Sequence, residues 1–242
     1  MNRVLAVAGL YNIRDLGGLP STYSATTVYR RFLRSDSPHA IDETGKTQLL
    51  ELGVRTIIDL RYADECLRTP NPLAAHPQVE YHNIPLMVSG VIENNAEDLT
   101  QLGAFYRFLL HNSQPAFARV FTTMAEHNGT TLFHCQVGKD RTGVVAALLL
   151  SLAGTPQHHI IEDYVATATH IAPLLPELRL HRPDRINAEQ YERLLDARAE
   201  FINEFLHEVT TRYDNAQQYL LRIGVSEFHI DSLRNTLIHA TN

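Results

Sequence analysis

The sequence predicts an α/β fold: a central, mostly parallel sheet flanked by helices, with a helical C-terminal half. Three observations predict it. In the first half, short β-type runs alternate with helical patterns, which is the signature of parallel strands joined by crossover helices. The second half carries helical periodicity and no strand signal. The chain has 242 residues, inside the size range of one domain, so 1–242 reads as a single domain with 156–242 as its helical part.

In order along the chain, 28–33 reads as a strand and 44–52 as a helix that stops at Gly53, a suitable C-cap. A buried strand follows at 56–60 (TIIDL), then a strand at 79–84. The polar segment 87–98 has little periodicity and is able to serve as a lid. Helices are expected at 99–110 and 115–127, the second with Pro115 in its first turn. The apolar run 130–134 (TTLFH) is a strand, and 141–152 is apolar on nearly every face, hence a buried helix. A helix over 156–170 precedes Pro173, Pro176 and Pro183, which mark an irregular connection and a second place for a lid. A long amphipathic helix over 188–213 and a last one over 226–240 complete the chain.

Composition narrows the function classes. Hydrophobic residues are 44% and charged residues 20%, ordinary for a soluble globular protein. The net charge of −6 gives no global attraction to nucleic acid or an anionic membrane, so an anionic ligand must be held by a local site. No apolar run is long enough to span a bilayer, and the N-terminus lacks a signal-peptide core, so no integral membrane association is expected. Two cysteines, Cys66 and Cys135, cannot make a disulfide framework and suit a reducing compartment. The expected location is cytoplasmic, with export lacking a classical signal left open. The thirteen histidines show no metal-ligand spacing, and the sequence points to no cofactor and no metal.

The informative segment is 133–143, FHCQVGKDRTG, between an apolar strand and a helix start. A helix N-terminus offers free N–H groups and partial positive charge, an anion site. The amides of Gln136, Val137, Gly138, Lys139 and the two residues after them wrap a phosphate as a concave nest. Arg141 adds a planar fork matched to two phosphoryl oxygens. The same surroundings favour a thiolate at Cys135, which attacks phosphorus and gives a phosphocysteine that water hydrolyses. The five residues between Cys135 and Arg141 let the loop close over the sulfur, and Thr142 is placed to donate a hydroxyl hydrogen bond to the departing thiolate.

The stretch HCQVGKDRTG, from His134 to Gly143, resembles the signature loop of the protein-tyrosine phosphatase superfamily. Its GKDRTG half resembles a microbial branch acting on phosphotyrosine, phosphoserine/threonine or phosphoinositides. Asn12-Ile13-Arg14-Asp15-Leu16-Gly17-Gly18 resembles that branch's N-terminal motif. Phe32-Leu33-Arg34-Ser35-Asp36, Ile58-Asp59-Leu60-Arg61 with Glu65, and Asp163-Tyr164 resemble later ones. The resemblance implies a cysteine-dependent phosphatase whose substrate is a phosphorylated protein, with dual specificity as a variant, or a phosphoinositide. Many members carry a general-acid Asp on a Trp-Pro-Asp loop. This chain has no Trp, and Pro85 is followed by Leu86. The branch it resembles implies Asp140 as the acid.

Several residues keep two readings. Asp140 is a proton donor or a structural acceptor balancing Lys139 and Arg141, with Asp98 and Asp59 as the other acids. Lys139 is a substrate cation or a solvated loop lysine. Asp59 and Arg61 stand at a strand end, as substrate contacts or as an ion pair beneath the loop, and Arg14 and Asp15 read as structural. Cys66 is an ordinary thiol or a resolving partner for oxidised Cys135. The segment 40–47 (AIDETGKT) imitates a nucleotide-binding loop, but its approach is polar, contains Pro38 and lacks the leading glycine. A third class of function is a catalytically inactive phosphate reader, against which the intact Cys135 and Arg141 argue.

Overall fold

The computed structural model describes residues 2–23, 26–86, 102–184 and 186–239. The lid expected at 87–98, and Asp98 with it, lies outside the described residues. Five strands form one sheet: β1 (Arg14–Asp15), β2 (Phe32–Ser35), β3 (Val54–Asp59), β4 (Glu80–Asn83) and β5 (Thr130–His134), in the order β1-β2-β5-β3-β4. Only the β1–β2 pairing is antiparallel; β2, β5, β3 and β4 run parallel. The sheet is therefore mostly parallel, and its parallel strands end on one edge, where open α/β sheets place their ligand sites.

Strand alternation divides the core in two. Phe32, Ile58 and Phe133 face a large cluster shared with the helices, while Leu33, Ile57 and Leu132 face a smaller one with Val7, Leu10, Ile13, Ile41 and Leu49. The smaller face is covered by the N-terminal segment and α1 (Glu43–Glu51). Asp42 caps α1 by accepting from the Gly45 amide, and Gly53 ends it at φ +85°. The larger face carries α3 (Leu102–Asn112), α4 (Gln114–Glu126) and α5 (Asp140–Leu152), after the short α2 (Ala63–Arg68). Ten residues of α5 are buried, as its all-round apolarity requires.

The C-terminal half is helical throughout its described length, but more broken than the periodicity predicts. The expected 156–170 helix is two, α6 (Gln157–Val165) and α7 (Thr167–His170), and α8 (Leu175–Leu180) lies within the proline segment with Pro176 in its first turn. The expected 188–213 helix is also two, α9 (Ala188–Leu195) and α10 (Ala199–Tyr213). At the break, Asp196 is extended and its Oδ1 accepts from the Ala197 amide at 2.8 Å. Two last helices are α11 (Ala216–Arg222) and α12 (Glu227–Ile238), the latter capped by Ser226. No helix among the described residues is long and apolar enough to cross a membrane.

A buried ionic hub ties the N-terminal segment, the sheet and α6 together. Asp163 pairs with Arg34 at 2.6 Å, with Arg14 at 3.5 Å, and with Arg3. Arg14 also donates to the Asp163 carbonyl at 2.9 Å and to Thr167 Oγ1 at 3.2 Å. Burial alone would raise the Asp163 pKa, but the three arginines outweigh it and hold the carboxyl well below the usual range. Its contribution to stability is thus fully present above the unfolded carboxyl pKa of about 3.9 and is lost as pH falls below that toward the depressed folded value. Asp163→Asn leaves buried guanidinium charge uncompensated and is expected to cost about 3 kcal/mol, read as a lower midpoint in urea unfolding at neutral pH. A midpoint shift that stays constant from neutral pH down to pH values below about 3 would contradict this account.

Candidate active site

Cys135 follows β5 directly, and Asp140 opens α5, so residues 135–139 form the loop between them. Nearly every carbonyl of this loop is occupied on its outer side. The His134 carbonyl accepts from the Leu60 amide at 2.8 Å, and the Cys135 carbonyl lies 3.0 Å from His134 Nδ1. The Gln136 carbonyl accepts from the Ser37 amide at 3.0 Å. Asn12 Nδ2 donates to the Val137 carbonyl at 2.9 Å, and Arg34 Nη2 to the Gly138 carbonyl at 2.8 Å. A trans peptide is planar, with N–H and C=O pointing in opposite directions. Fixing these five carbonyls outward therefore turns the amides of residues 135–139 toward the inside of the loop. The chain closes tightly enough for this because Gly138 has φ +72°, and a Cβ there would lie 2.3 Å from the Ser35 carbonyl oxygen.

Arg141, in the first turn of α5, lies beside the loop. Its Nη1 and Nη2 donate to the two carboxylate oxygens of Glu65 at 2.6 and 2.9 Å, and Nη1 reaches the Leu60 carbonyl at 3.3 Å. The guanidinium stands 5.2 Å from the centre of the Tyr62 ring. Although burial would lower it, Glu65 and the Cys135 sulfur raise the Arg141 pKa, so the cation is permanent. Glu65 also accepts from the Tyr62 amide at 2.8 Å and so caps α2 while positioning Arg141. Cys135 is 3% exposed.

Beneath the loop, Asp59 and His134 are opposite one another in the β3–β5 register, both fully buried. Arg61 grips Asp59 with Nε at 2.9 Å and Nη2 at 2.7 Å, and sends Nη1 to Thr69, while Tyr81 donates its hydroxyl to Asp59 at 2.8 Å. Burial pushes the Asp59 carboxyl up, but His134 and Arg61 more than offset it, and its pKa falls well below the usual range. Burial lowers the His134 pKa and Asp59 opposes it, with Nδ1 toward the Cys135 carbonyl at 3.0 Å and Nε2 facing Asn71 at 3.3 Å and Asp59 at 3.5 Å. Asp59 and Arg61 thus form an ion pair under the loop. Cys66 joins them, with Sγ 3.5 Å from Asp59 Oδ2 and 3.4 Å from Asn83 Nδ2; burial and Asp59 raise its thiol pKa.

Other candidate residues are placed less simply. The Asp140 carboxylate accepts from the Tyr106 hydroxyl at 2.6 Å, and that hydroxyl is 2.6 Å from the Tyr164 hydroxyl. Lys139 is buried and its ammonium turns to the C-terminal half: it donates to the Leu194 carbonyl and, at 2.8 Å, to the Asp196 carbonyl at the α9–α10 break, with Asp140 at 3.5 Å. Thr142 Oγ1 is buried without a hydrogen-bond partner among the described residues, so its bond to sulfur is not formed in this state. Sequence reasoning gave no role to Asn12, Arg34, Ser37, Glu65 or Tyr106. Four of these lie in or next to motifs it had singled out, and only Tyr106 left no signal beyond helical periodicity.

The loop opens on a cleft of about 740 Å³, lined by Gln136, Val137, Glu65 and Tyr11 on one side and by Leu178 and Tyr191 of the C-terminal half on the other. The connection around Pro173 and Pro183 contributes to its wall. The tyrosine phosphatase family matches residues 5–239 of the chain. A tyrosine-protein phosphatase of Nostoc commune is 35% identical over 216 residues, covering 84% of this chain and 72% of that protein. The triple specificity protein phosphatase PtpB of Mycobacterium tuberculosis is 24% identical, covering 97% of this chain and 99% of that protein. The solved structure of TpbA from P. aeruginosa overlaps with a TM-score of 0.32 and 22% identity, over 57% of this chain and 71% of that one, a likeness too loose to carry an argument. With the family matched almost end to end, on a sheet whose strand-ending loop turns its amides onto a buried cysteine, this chain belongs to the tyrosine phosphatase family and is a hydrolase of that type.

Proposed function

We propose that the chain works as one domain that hydrolyses protein phosphotyrosine through a phosphocysteine intermediate. The outward anchoring of the loop carbonyls carries this reading, because it leaves a ring of amides above Cys135 with Arg141 at its side. In the first step the Cys135 thiolate attacks phosphorus, the bond from phosphorus to the tyrosyl oxygen breaks, and that oxygen takes a proton from a carboxylic acid. Water then attacks the phosphocysteine and gives a proton to the carboxylate left by the first step, the S–P bond breaks, inorganic phosphate leaves, and the thiolate returns. Amides and Arg141 meet the charge that spreads over the phosphoryl oxygens in both transition states.

The depth of the nucleophile favours an aryl phosphate. With Cys135 3% exposed, a short phosphoserine reaches it less well than phosphotyrosine, whose ring would pass along the half-exposed Tyr11 of the cleft wall. The phosphoinositide reading draws on Lys139 as a cation for a second phosphate. Its ammonium is instead committed to two backbone carbonyls and to Asp140. A phosphate-release panel of phosphotyrosine peptides, phosphoserine peptides and phosphoinositides tests the ordering, and faster release from the lipids would reverse it. Cys135→Ser is expected to abolish release while still binding phosphotyrosine peptide, since the amides and Arg141 remain; residual turnover above contamination level would refute covalent catalysis. Lys139→Ala should slow peptide and lipid substrates alike, because the ammonium acts by holding the α9–α10 break.

For the proton donor we propose Asp140, which directly follows the loop and whose side chain is 28% exposed. The hydrogen bond from Tyr106 fixes its carboxylate. A donor must be protonated before transfer, so the basic limb of the pH–rate profile reports its ionisation. Asp140→Asn is expected to remove that limb and to slow tyrosyl esters on the order of a hundred-fold or more, with a smaller effect on para-nitrophenyl phosphate, whose leaving group needs little protonation. An equal loss on both esters with the limb intact would make Asp140 a structural acceptor.

A further inference from the structure

Away from the phosphate loop, on the opposite flank of the sheet, Glu80, His82 and His127 converge. Glu80 and His82 are two apart on the edge strand β4, so their side chains share the face toward α4, and His127 directly follows α4. Each offers one ligand atom, and the three atoms lie within 4.8 Å of one another. The linear spacing of the histidines could not show this, because the strand and the helix end meet only in the folded chain.

Both rings turn a nitrogen toward the Glu80 carboxylate. His127 Nδ1 lies 2.7 Å from the Thr123 carbonyl, which requires its hydrogen there, and Nε2 stands 2.5 Å from Glu80 Oε2, an N–H···O distance that a bound cation would replace. A backbone carbonyl on the far nitrogen is the usual support of a ligating imidazole. His82 Nε2 is a buried atom with no hydrogen-bond partner among the described residues, 3.9 Å from the same carboxylate oxygen. A simple ion pair between a protonated His127 and Glu80 accounts for one ring and leaves the other nitrogen idle. A cation between the three uses both.

We propose that Glu80, His82 and His127 form a Zn²⁺ site that ties the edge strand β4 to the end of α4. Two imidazoles and one carboxylate suit zinc rather than magnesium or calcium, which take oxygen ligands. Ligand atoms at about 2.0–2.2 Å from a tetrahedral zinc stand roughly 3.3–3.6 Å apart, so His127 moves out slightly and His82 moves in. Water completes the coordination, since Glu80 is largely exposed. Arg119 is a nearby cation acting on His82 and is the local charge that zinc must overcome.

The test is titration of zinc chloride into the full chain carrying Cys135→Ser, which removes the phosphate-loop thiolate as a competing ligand. One equivalent is expected to bind, and the thermal midpoint to rise and return on addition of a chelator. His82→Ala and His127→Ala should each weaken binding by about 10- to 100-fold, and Glu80→Gln by about 10-fold. Should His82→Ala fail to fold, His82→Gln examines the same ligand at similar volume. The variants made with Cys135 intact should release phosphate from para-nitrophenyl phosphate at the unaltered rate, which shows the fold is kept. Cobalt in place of zinc should give visible d–d absorption without a thiolate charge-transfer band. Unchanged zinc affinity in the His82 and His127 variants, or a thiolate band that places the metal on Cys66, would overturn the site.

Discussion

A phosphate site made of backbone amides has a hidden requirement: the other end of every one of those peptides must be held. Here the requirement is met by donors from four separate parts of the chain. The Leu60 and Ser37 amides, the Asn12 side chain, the Arg34 guanidinium and the His134 ring each take one loop carbonyl. Each such bond contributes only about 0.5–1.5 kcal/mol net, and those from a charged donor somewhat more. Their larger consequence is orientation. A free loop would have to turn its amides inward at the moment of phosphate binding, whereas this one is already set, and preorganised dipoles stabilise developing charge without reorganising. In the proposed function it also explains how a chain of net charge −6 would hold an anion, because the positive field is local and made of peptide dipoles and one arginine.

The same donors connect the site to the rest of the fold. Arg34 spans two tasks, giving Nη2 to the Gly138 carbonyl and Nη1 to Asp163. Asp163 in turn is held by Arg14 and Arg3, so the loop's geometry depends on α6 and on the N-terminal segment. Buried ion clusters of this kind are weak sources of stability, since desolvation offsets most of the attraction. Their value lies in direction: guanidinium forks fixed by a carboxylate cannot rotate, and neither can the carbonyl they hold. Gly143 belongs to the same arrangement, because a Cβ there would meet the Tyr164 ring at 3.1 Å. The aromatic ring, the arginine and the start of α5 thus occupy a space that admits no extra carbon without adjustment.

Much of this fold is legible in the sequence because hydrophobic period and turn chemistry agree. Strand β5 is read at its observed limits, and Gly53 marks the end of α1. What was not legible has local causes. Strand β1 has two residues and α11 seven, too short for any period. The α9–α10 break falls within Asp196-Ala197-Arg198, where helical amphipathicity continues and no proline or glycine warns of a stop. The break is instead held by the Lys139 ammonium on the Leu194 and Asp196 carbonyls, a contact between residues some fifty-five apart. In the site, Cys135 and Arg141 stand out because loop and spacing carry them, whereas Glu65 and Arg34 acquire roles only when three elements meet.

Glu65 raises a question of competition, since it occupies the arginine proposed to hold substrate. Donor arithmetic resolves it. A guanidinium has five N–H donors. Among the described residues, Arg141 uses Nη1 for Glu65 and Leu60, and one hydrogen of Nη2 for Glu65. The Nε–H and the second Nη2 hydrogen remain, and these two lie along one edge of the planar group with the spacing of a phosphoryl O–P–O. Glu65 therefore takes the end of the fork and leaves its side. Because Glu65 is itself fixed by the Tyr62 amide, and Tyr62 lies against the guanidinium face, the free edge has one orientation before substrate arrives. A carboxylate next to an anion site would ordinarily repel the ligand. Here its charge is spent on the arginine, and in the proposed function what a phosphate would meet is the arginine's remaining edge and the amides of residues 135–139.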